Sequence, residues 1–355
     1  MMRVQIPVAI LVGLVAAMAV PASADQIGRD VVRTQDGVRF TIAFRDSRDR
    51  AHRLKFAFPA HSYAEGKDGL PPVDSEAVEA RINEPVQSYV AKRRARWRQV
   101  LRKRLDRIRR GLPDHITIEH SFDGGNLSWS LKSREASRDE LRALADRIKD
   151  RIQDVSERIL DSARDDVERY AKKVRDDVYN DLYYIRDPEL DLLRVDYRRV
   201  AKEAADRLRP LADAIAGRTG QDARARLTLA LAMLQTIPYD RLTDRDVADG
   251  TGFATPIEML HLNRGDCDSK ATALAALMRT LAPEVRTAMI LLPGHAVLAA
   301  DIPTEPGDRV IELRGEKFVL MEPAGPARTP VGEIADSSLE AFKDEGVQSI
   351  VWLTG

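Results

Sequence analysis

Twelve apolar residues recur at a helical interval: Leu144, Ile148, Ile152, Val155, Ile159, Ala163, Val167, Tyr170, Val174, Val178, Leu182 and Ile185. They cover 144–185 in 11 steps, or about 3.7 residues per step. That interval draws one narrow apolar stripe along an otherwise charged rod. It lacks the left-handed wrap of a strict heptad, so a nearly straight or slightly right-handed helix is expected. Ser137 and Glu140 fit a capping box at its start, and Asp187-Pro188 breaks the pattern. So narrow a stripe needs a partner. The helix expected from Asp74 or Ser75 to about Arg110 is the obvious one. A further helix is expected from about 189 to 215, ending near Gly217 or Gly220.

Short strands flank these helices. Residues 38–44 alternate in the manner of a half-buried strand, and 53–58 repeat the pattern with Leu54, Phe56 and Phe58. A loop rich in Gly and Pro is expected over 66–72. His115–His120 and Leu127–Leu131 form a second pair, joined through Asp123-Gly124-Gly125-Asn126, a sequence suited to a tight turn. The two hairpins are expected to share one small sheet.

The N-terminus reads as a secretory leader. Met1-Met2-Arg3 is a short positive start, and the apolar stretch Ile6 to Val20 is too short to span a bilayer comfortably. Ala22-Ser23-Ala24 is a small-x-small signal, so a cut after Ala24 is expected. No cysteine follows it to take a lipid. The mature chain is expected to be soluble and periplasmic or secreted.

At 355 residues the chain can hold two or three domains. Lys+Arg and Asp+Glu are both 56, so no overall field favours DNA or acidic substrates. Charge is instead concentrated locally: residues 92–110 hold eleven basic residues and one acidic residue, Asp106. The plain reading is a solvated face paired with the acid-rich helix downstream. Contact with anionic lipid or a cell-wall polymer is the functional alternative, and export argues against nucleic acid.

Export also makes the cysteine count informative. The chain has one cysteine, Cys267, and one thiol cannot form an intramolecular bridge. It lies in Asn263-Arg264-Gly265-Asp266-Cys267-Asp268-Ser269-Lys270, a loop leading into the apolar-periodic run Ala271, Leu274, Leu277, Met278 and Leu281, with Pro283 beyond. Cys267 is therefore expected in the first turn of a buried helix. Free N–H groups and the helix dipole there favour a thiolate, the form that attacks a carbonyl carbon. Flanking aspartates argue against a merely structural buried cysteine.

A thiol nucleophile needs a base. His295 opens an expected strand after Pro293-Gly294. Glu322 follows the second strand of a hairpin expected over Val310–Leu313 and Lys317–Met321, and could orient the imidazole and stabilise its charged form. Asp301 and Glu312 are the alternatives. Upstream, an apolar helix over Leu229–Leu234 leads to Gln235, whose amide could donate to an oxyanion.

In order, Gln235-x-Ile237-Pro238-Tyr239, Pro256-Ile257-Glu258-Met259-Leu260, Arg264-Gly265-Asp266-Cys267-Asp268, Gly294-His295 and Met321-Glu322-Pro323 resemble the transglutaminase-like superfamily, including bacterial transglutaminase-like cysteine proteinases. The resemblance covers about 220–340. It implies a papain-like fold with Cys267 as nucleophile, His295 as base and Glu322 as third member. It implies Gln235 as oxyanion donor, with Asp268 and Tyr239 in support. Many members carry Asp at the third position, and a Trp or similar residue often follows the His; here these are Glu322 and Ala296-Val297. No metal motif and no cofactor is implied.

The expected fold class is α+β: a papain-like, transglutaminase-like C-terminal domain preceded by a long-helix, coiled-coil-like region with small β-hairpins. The expected divisions are a leader at 1–24, hairpins with a basic long helix at 25–135, a helical arm at 136–219 and the C-terminal domain at 220–355. The expected function is thiol chemistry on peptide or protein amides, cell-envelope material among them, finishing as a hydrolase or by acyl transfer. The alternative is a non-catalytic envelope scaffold or binding module, its long helices holding a partner helix or a second copy.

Overall fold

The computed structural model describes residues 26–123, 126–243 and 252–354. The expected leader, its cut after Ala24 and the Gly124-Gly125 turn lie outside these residues. The chain is mixed α and β. In order it forms β1 (Gln26–Arg33), β2 (Gly37–Arg45), β3 (Ala51–Pro59), α1 (Ala60–Lys67), α2 (Ser75–Arg110), β4 (Ile116–Asp123), β5 (Asn126–Ser133) and α3 (Arg138–Asp181). There follow β6 (Tyr184–Arg186), β7 (Leu193–Val195), α4 (Tyr197–Arg207), α5 (Arg209–Thr219), α6 (Ala223–Gln235), α7 (Pro256–Leu262) and α8 (Cys267–Leu281). The last elements are β8 (Thr287–Leu292), β9 (His295–Ala300), β10 (Val310–Leu313), β11 (Glu316–Met321), α9 (Asp336–Asp344) and β12 (Ser349–Trp352). No helix among the described residues is long and apolar enough to cross a membrane.

Two compact units result, one of Val73–Asp181 and one of the chain before and after it. The boundaries expected at 135 and 219 are not where the chain divides. The reason is burial. Strands β2 and β3 put Phe40, Ile42, Phe44, Leu54 and Phe58 into the same core as Leu208, Leu211, Ile215, Leu234 and Ile257. The N-terminal sheet, α4 and α5 thus belong with the C-terminal elements. The two hairpins do not share a sheet: β1-β2-β3 form one and β4-β5 another.

In the inserted unit, α2 is capped by Asp74, which accepts from Glu76 N and Ala77 N. Ser137 and Glu140 close the capping box at the start of α3. Helices α2 and α3 pack together, with Tyr89 and Tyr170 stacked 4.1 Å apart. Ile148 and Ile152 of the stripe meet Leu105 and Ile108 of α2 and Ile118 of the β4–β5 hairpin. Of the basic run, Arg93 pairs with Asp166, while Lys92, Arg96, Lys103, Arg107 and Arg110 stand exposed. Helix α3 stops at Asp181, short of the pattern's last two members, Leu182 and Ile185. Tyr183 turns left-handed (φ 65°), and Tyr184–Arg186 pairs with β7 instead. The single helix expected over 189–215 is a strand and two helices, parted at Leu208 ahead of Pro210.

In the other unit, five antiparallel strands run in the order β10-β11-β9-β8-β12. Met289, Leu298, Val319, Met321 and Val351 join the main core. Ile290, Val297, Phe318 and Leu320 join a second cluster closed by Ile334, Phe342 and Trp352. Both faces are covered, so the strands read as continuous apolar runs. Helix α8 is buried all round from Ser269 to Met278 and packs against α4 to α7 and strands β8 and β9. A helix enclosed on every side has little freedom to shift, which fixes whatever its first residue presents.

Candidate active site

Cys267 is the first residue of α8 and is half-buried. Asp266 caps the helix, its Oδ1 accepting from Ser269 N at 3.1 Å. The approach is tightly built. Asn263 takes the left-handed conformation (φ 54°) that ends α7. Gly265 then forms a parallel bridge with Tyr239, donating to Pro238 O at 3.1 Å and accepting from Asp240 N at 3.3 Å. A Cβ at Gly265 would meet Met259 Cγ and Sδ at 2.8 Å, so a side chain here would have to push the buried Met259 aside. Within the first turn of the helix, Ser269 Oγ accepts from Ala254 N at 2.8 Å.

His295 opens β9, and β9 lies beside β11 in the sheet. Glu322 directly follows β11. The pairing therefore brings imidazole and carboxyl together, with Nε2 and Oε1 2.8 Å apart. The other carboxyl oxygen accepts from Ser338 Oγ of α9 at 2.6 Å. Glu322 is buried and His295 half-buried. A carboxylate can only accept, so Nε2 carries the hydrogen and Nδ1 keeps the basic lone pair. Strand β9 packs against α8, and the backbone N–H of Ala296, next to His295, favours the ionised form of the Cys267 thiol.

The electrostatics correct one expectation. The Cys267 thiol is pushed well up, not down: burial is the largest cause, and the charges of Asp268 and Asp266 add to it. The Ala296 N–H works the other way without overcoming them. The helix dipole, worth about 0.3–1 kcal/mol at an exposed terminus, is a smaller effect than desolvating a thiolate between two aspartates. Asp266 is raised as well, by burial and then by its hydrogen-bonded neighbour Asp268. Asp268 Oδ2 accepts from Tyr197 OH at 2.6 Å, tying α8 to α4. Burial also raises the phenols of Tyr197 and Tyr239, with Asp268 the next cause for the first and Cys267 for the second.

Gln235 does not sit as an oxyanion donor would. Its Nε2 donates to Glu322 O at 2.8 Å and to Thr329 O at 2.9 Å, so both amide hydrogens are committed to backbone carbonyls. It braces the chain that carries Glu322. Tyr239 lies beside the loop into Cys267, 38% exposed. Of the alternatives to Glu322, Asp301 is held by Arg286 and Glu312 is exposed on β10. Three further residues belong to the site: Tyr197, Ser338 and Lys270. Lys270 had a signal in its place one turn beyond Cys267. Tyr197 and Ser338 had none, since each is distant in sequence and unremarkable locally.

Among the described residues, no cluster of His, Cys, Asp and Glu could hold a metal ion. Comparison with family models finds no match to this chain, and comparisons with curated proteins and with solved structures find none either.

Proposed function

We propose that the larger unit is a transglutaminase-like thiol enzyme with a papain-like arrangement, acting on amide bonds through Cys267, His295 and Glu322. One observation carries the reading. A half-buried imidazole is held by a buried carboxyl at 2.8 Å, and the strand it opens packs against the helix that begins at the only cysteine in the chain.

The raised thiol shapes the mechanism. Cys267 rests protonated, so His295 Nδ1 takes its proton as the sulfur attacks the amide carbonyl. Glu322 accepts from Nε2 and stabilises the imidazolium. The Cys267 N–H opens α8 without an acceptor in the helix, which suits it to the developing oxyanion. The imidazolium then protonates the departing amine, leaving an acyl-thioester on the sulfur. Water completes hydrolysis, or a second amine completes transfer. Peptide or protein amides of the cell envelope fit an exported chain. The α2–α3 arm would give reach or hold a partner helix.

Trapping tests this directly. The protein is incubated with envelope extracts, quenched in acid and digested, and the Cys267 peptide is analysed by mass spectrometry. An acyl adduct absent from Cys267→Ala and His295→Ala samples is the expected result. If no adduct forms and Cys267→Ala supports full function in vivo, the scaffold reading replaces the enzyme.

A further inference from the structure

The thiol chemistry makes no use of the basic run on α2, whose two sides differ. Trp97, Leu101, Leu105 and Ile108 are buried, the last two with Ile148 and Ile152 of α3. Lys92, Arg96, Lys103, Arg107 and Arg110 stand exposed. At about 100° and about 1.5 Å per residue, these five fall within an arc of about 60° opposite the buried stripe, along about 27 Å of helix. They form a ridge.

The ridge is not built as a merely solvated face. Its i,i+3 and i,i+4 spacings make Lys92 and Arg96, Lys103 and Arg107, and Arg107 and Arg110 surface neighbours, and like charges so placed repel. Helix α3 shows the ordinary solution: Arg158 with Asp154, Arg169 with Asp166 and Lys173 with Asp177 pair along its own surface. Among the described residues, none of the five ridge cations pairs with a carboxylate, although Arg93 of the same run pairs with Asp166. Asp106, the one acid of the run, stands exposed beside them. The pairing expected with the acid-rich helix is thus made at Arg93 and not along the ridge.

Such a ridge fits an extended anionic partner, and three features choose which. Val100 is 38% exposed and shares this side of the helix, four residues after Arg96, three before Lys103 and seven before Arg107. A nucleic-acid backbone or a carboxylate polymer offers it nothing apolar, whereas the boundary between lipid headgroups and acyl chains does. The cations also lie along one line, which is how a straight rod meets a flat surface. Arg96, Arg107 and Arg110 supply planar guanidinium forks that match phosphate oxygens. We propose that this side of α2 docks on a bilayer of anionic phospholipid, with the five cations against headgroup phosphates and Val100 at the acyl boundary. The docking belongs to the inserted unit and involves neither Cys267 nor His295.

Co-sedimentation with vesicles tests this. The chain from Asp25 onward is used, so that the apolar stretch Ile6 to Val20 adds no membrane affinity of its own. It should bind vesicles of equimolar phosphatidylglycerol and phosphatidylcholine and stay in solution with phosphatidylcholine alone. Raising salt from about 0.1 M to about 1 M shortens the screening length from about 10 Å to about 3 Å and should release it. Each cation near an anionic leaflet contributes about fivefold, so the triple variant Lys92→Gln, Lys103→Gln, Arg107→Gln should bind about a hundredfold more weakly. A control triple on exposed positions of α3, Arg142→Gln, Lys149→Gln and Arg151→Gln, removes the same net charge and should stay within about twofold of wild type. Wild-type chain that ignores the anionic vesicles, or binds both kinds alike, overturns the proposal whether or not the variants fold. A folded ridge variant that still sediments overturns it too, as does equal weakening by the two triples. Tighter binding to duplex DNA or to polyglutamate than to the anionic vesicles would assign the ridge to a soluble polyanion and overturn the bilayer.

Discussion

Gln26 and Asn263 exchange a pair of amide hydrogen bonds: Gln26 Nε2 donates to Asn263 Oδ1 at 3.1 Å, and Asn263 Nδ2 donates to Gln26 Oε1 at 2.9 Å. The start of β1 is thereby fixed to the residue that turns the chain toward Cys267. Three residues on, Arg29 Nη2 reaches Leu260 O at 2.7 Å and His261 O at 3.0 Å, capping the last carbonyls of α7. The N-terminal strand is therefore part of the site's foundation.

Arg29→Ala should reveal this. Two charge-assisted bonds to helix-end carbonyls are lost, and hydrogen bonds to charged groups contribute about 1.5–3 kcal/mol each at most. A loss of about 2 kcal/mol in urea unfolding is expected, together with faster hydrogen exchange at Asn263–Asp266. Unchanged protection in that loop would show that β1 does not brace it.

The resting protonation of Cys267 gives a second expectation. Asp268 is the largest charged contributor to the raised thiol. Asp268→Asn keeps a group that can accept from Tyr197 OH while removing the charge. The thiol should titrate lower, and alkylation at pH 7 should quicken by up to about tenfold for every pH unit by which its midpoint falls. A slower or equal rate would mean that the carboxylate does not oppose the thiolate.

A third concerns acid stability. Burial alone would raise Asp46, but His52, the Arg50 side chain and the backbone N–H groups of Arg50 and Arg48 donate to it and hold it at about 2. Its folded value lies below its unfolded one, so the stabilisation is present above pH 4 and is lost as pH falls from about 4 towards 2. Asp46→Asn should be less stable than wild type at pH 7, with the gap closing over that window. Guanidinium unfolding across the pH series measures it, and a constant gap would assign the effect to packing.

How much of this was legible in the sequence depends on the range of the interaction. Helix α8, the strand starts at His295 and Val310 and the capping box at Ser137 are local patterns, and each was readable. Strand β1 was not, because Ile27 and Val32 face solvent and its apolar residues do not alternate. The end of α3 was missed because the stripe runs on to Ile185, while Tyr183 turns left-handed to pair β6 with β7. Cys267 and His295 were readable as residue types in their positions. The cost of ionising the thiol was not, since it depends on burial and on how close the two aspartates lie. The unit boundaries were hidden for the same reason: Phe40 and Leu211 meet only in the folded core.

Gln235 separates two roles that a motif alone cannot. An oxyanion donor strengthens its bond in the transition state, so removing it lowers kcat by about a hundredfold or more and leaves stability near wild type. A brace does the opposite. In Gln235→Leu the carbonyls of Glu322 and Thr329 lose the donor they share, and a buried unsatisfied carbonyl costs about 1–3 kcal/mol. The expected result is a lower urea midpoint with the slope unchanged. Activity should fall only to the extent that Glu322 drifts from His295. The split is measurable, because a loosened Glu322 no longer fixes the imidazole tautomer and the loss in rate should vary with pH. A pH-independent fall in kcat at full stability would return Gln235 to the oxyanion.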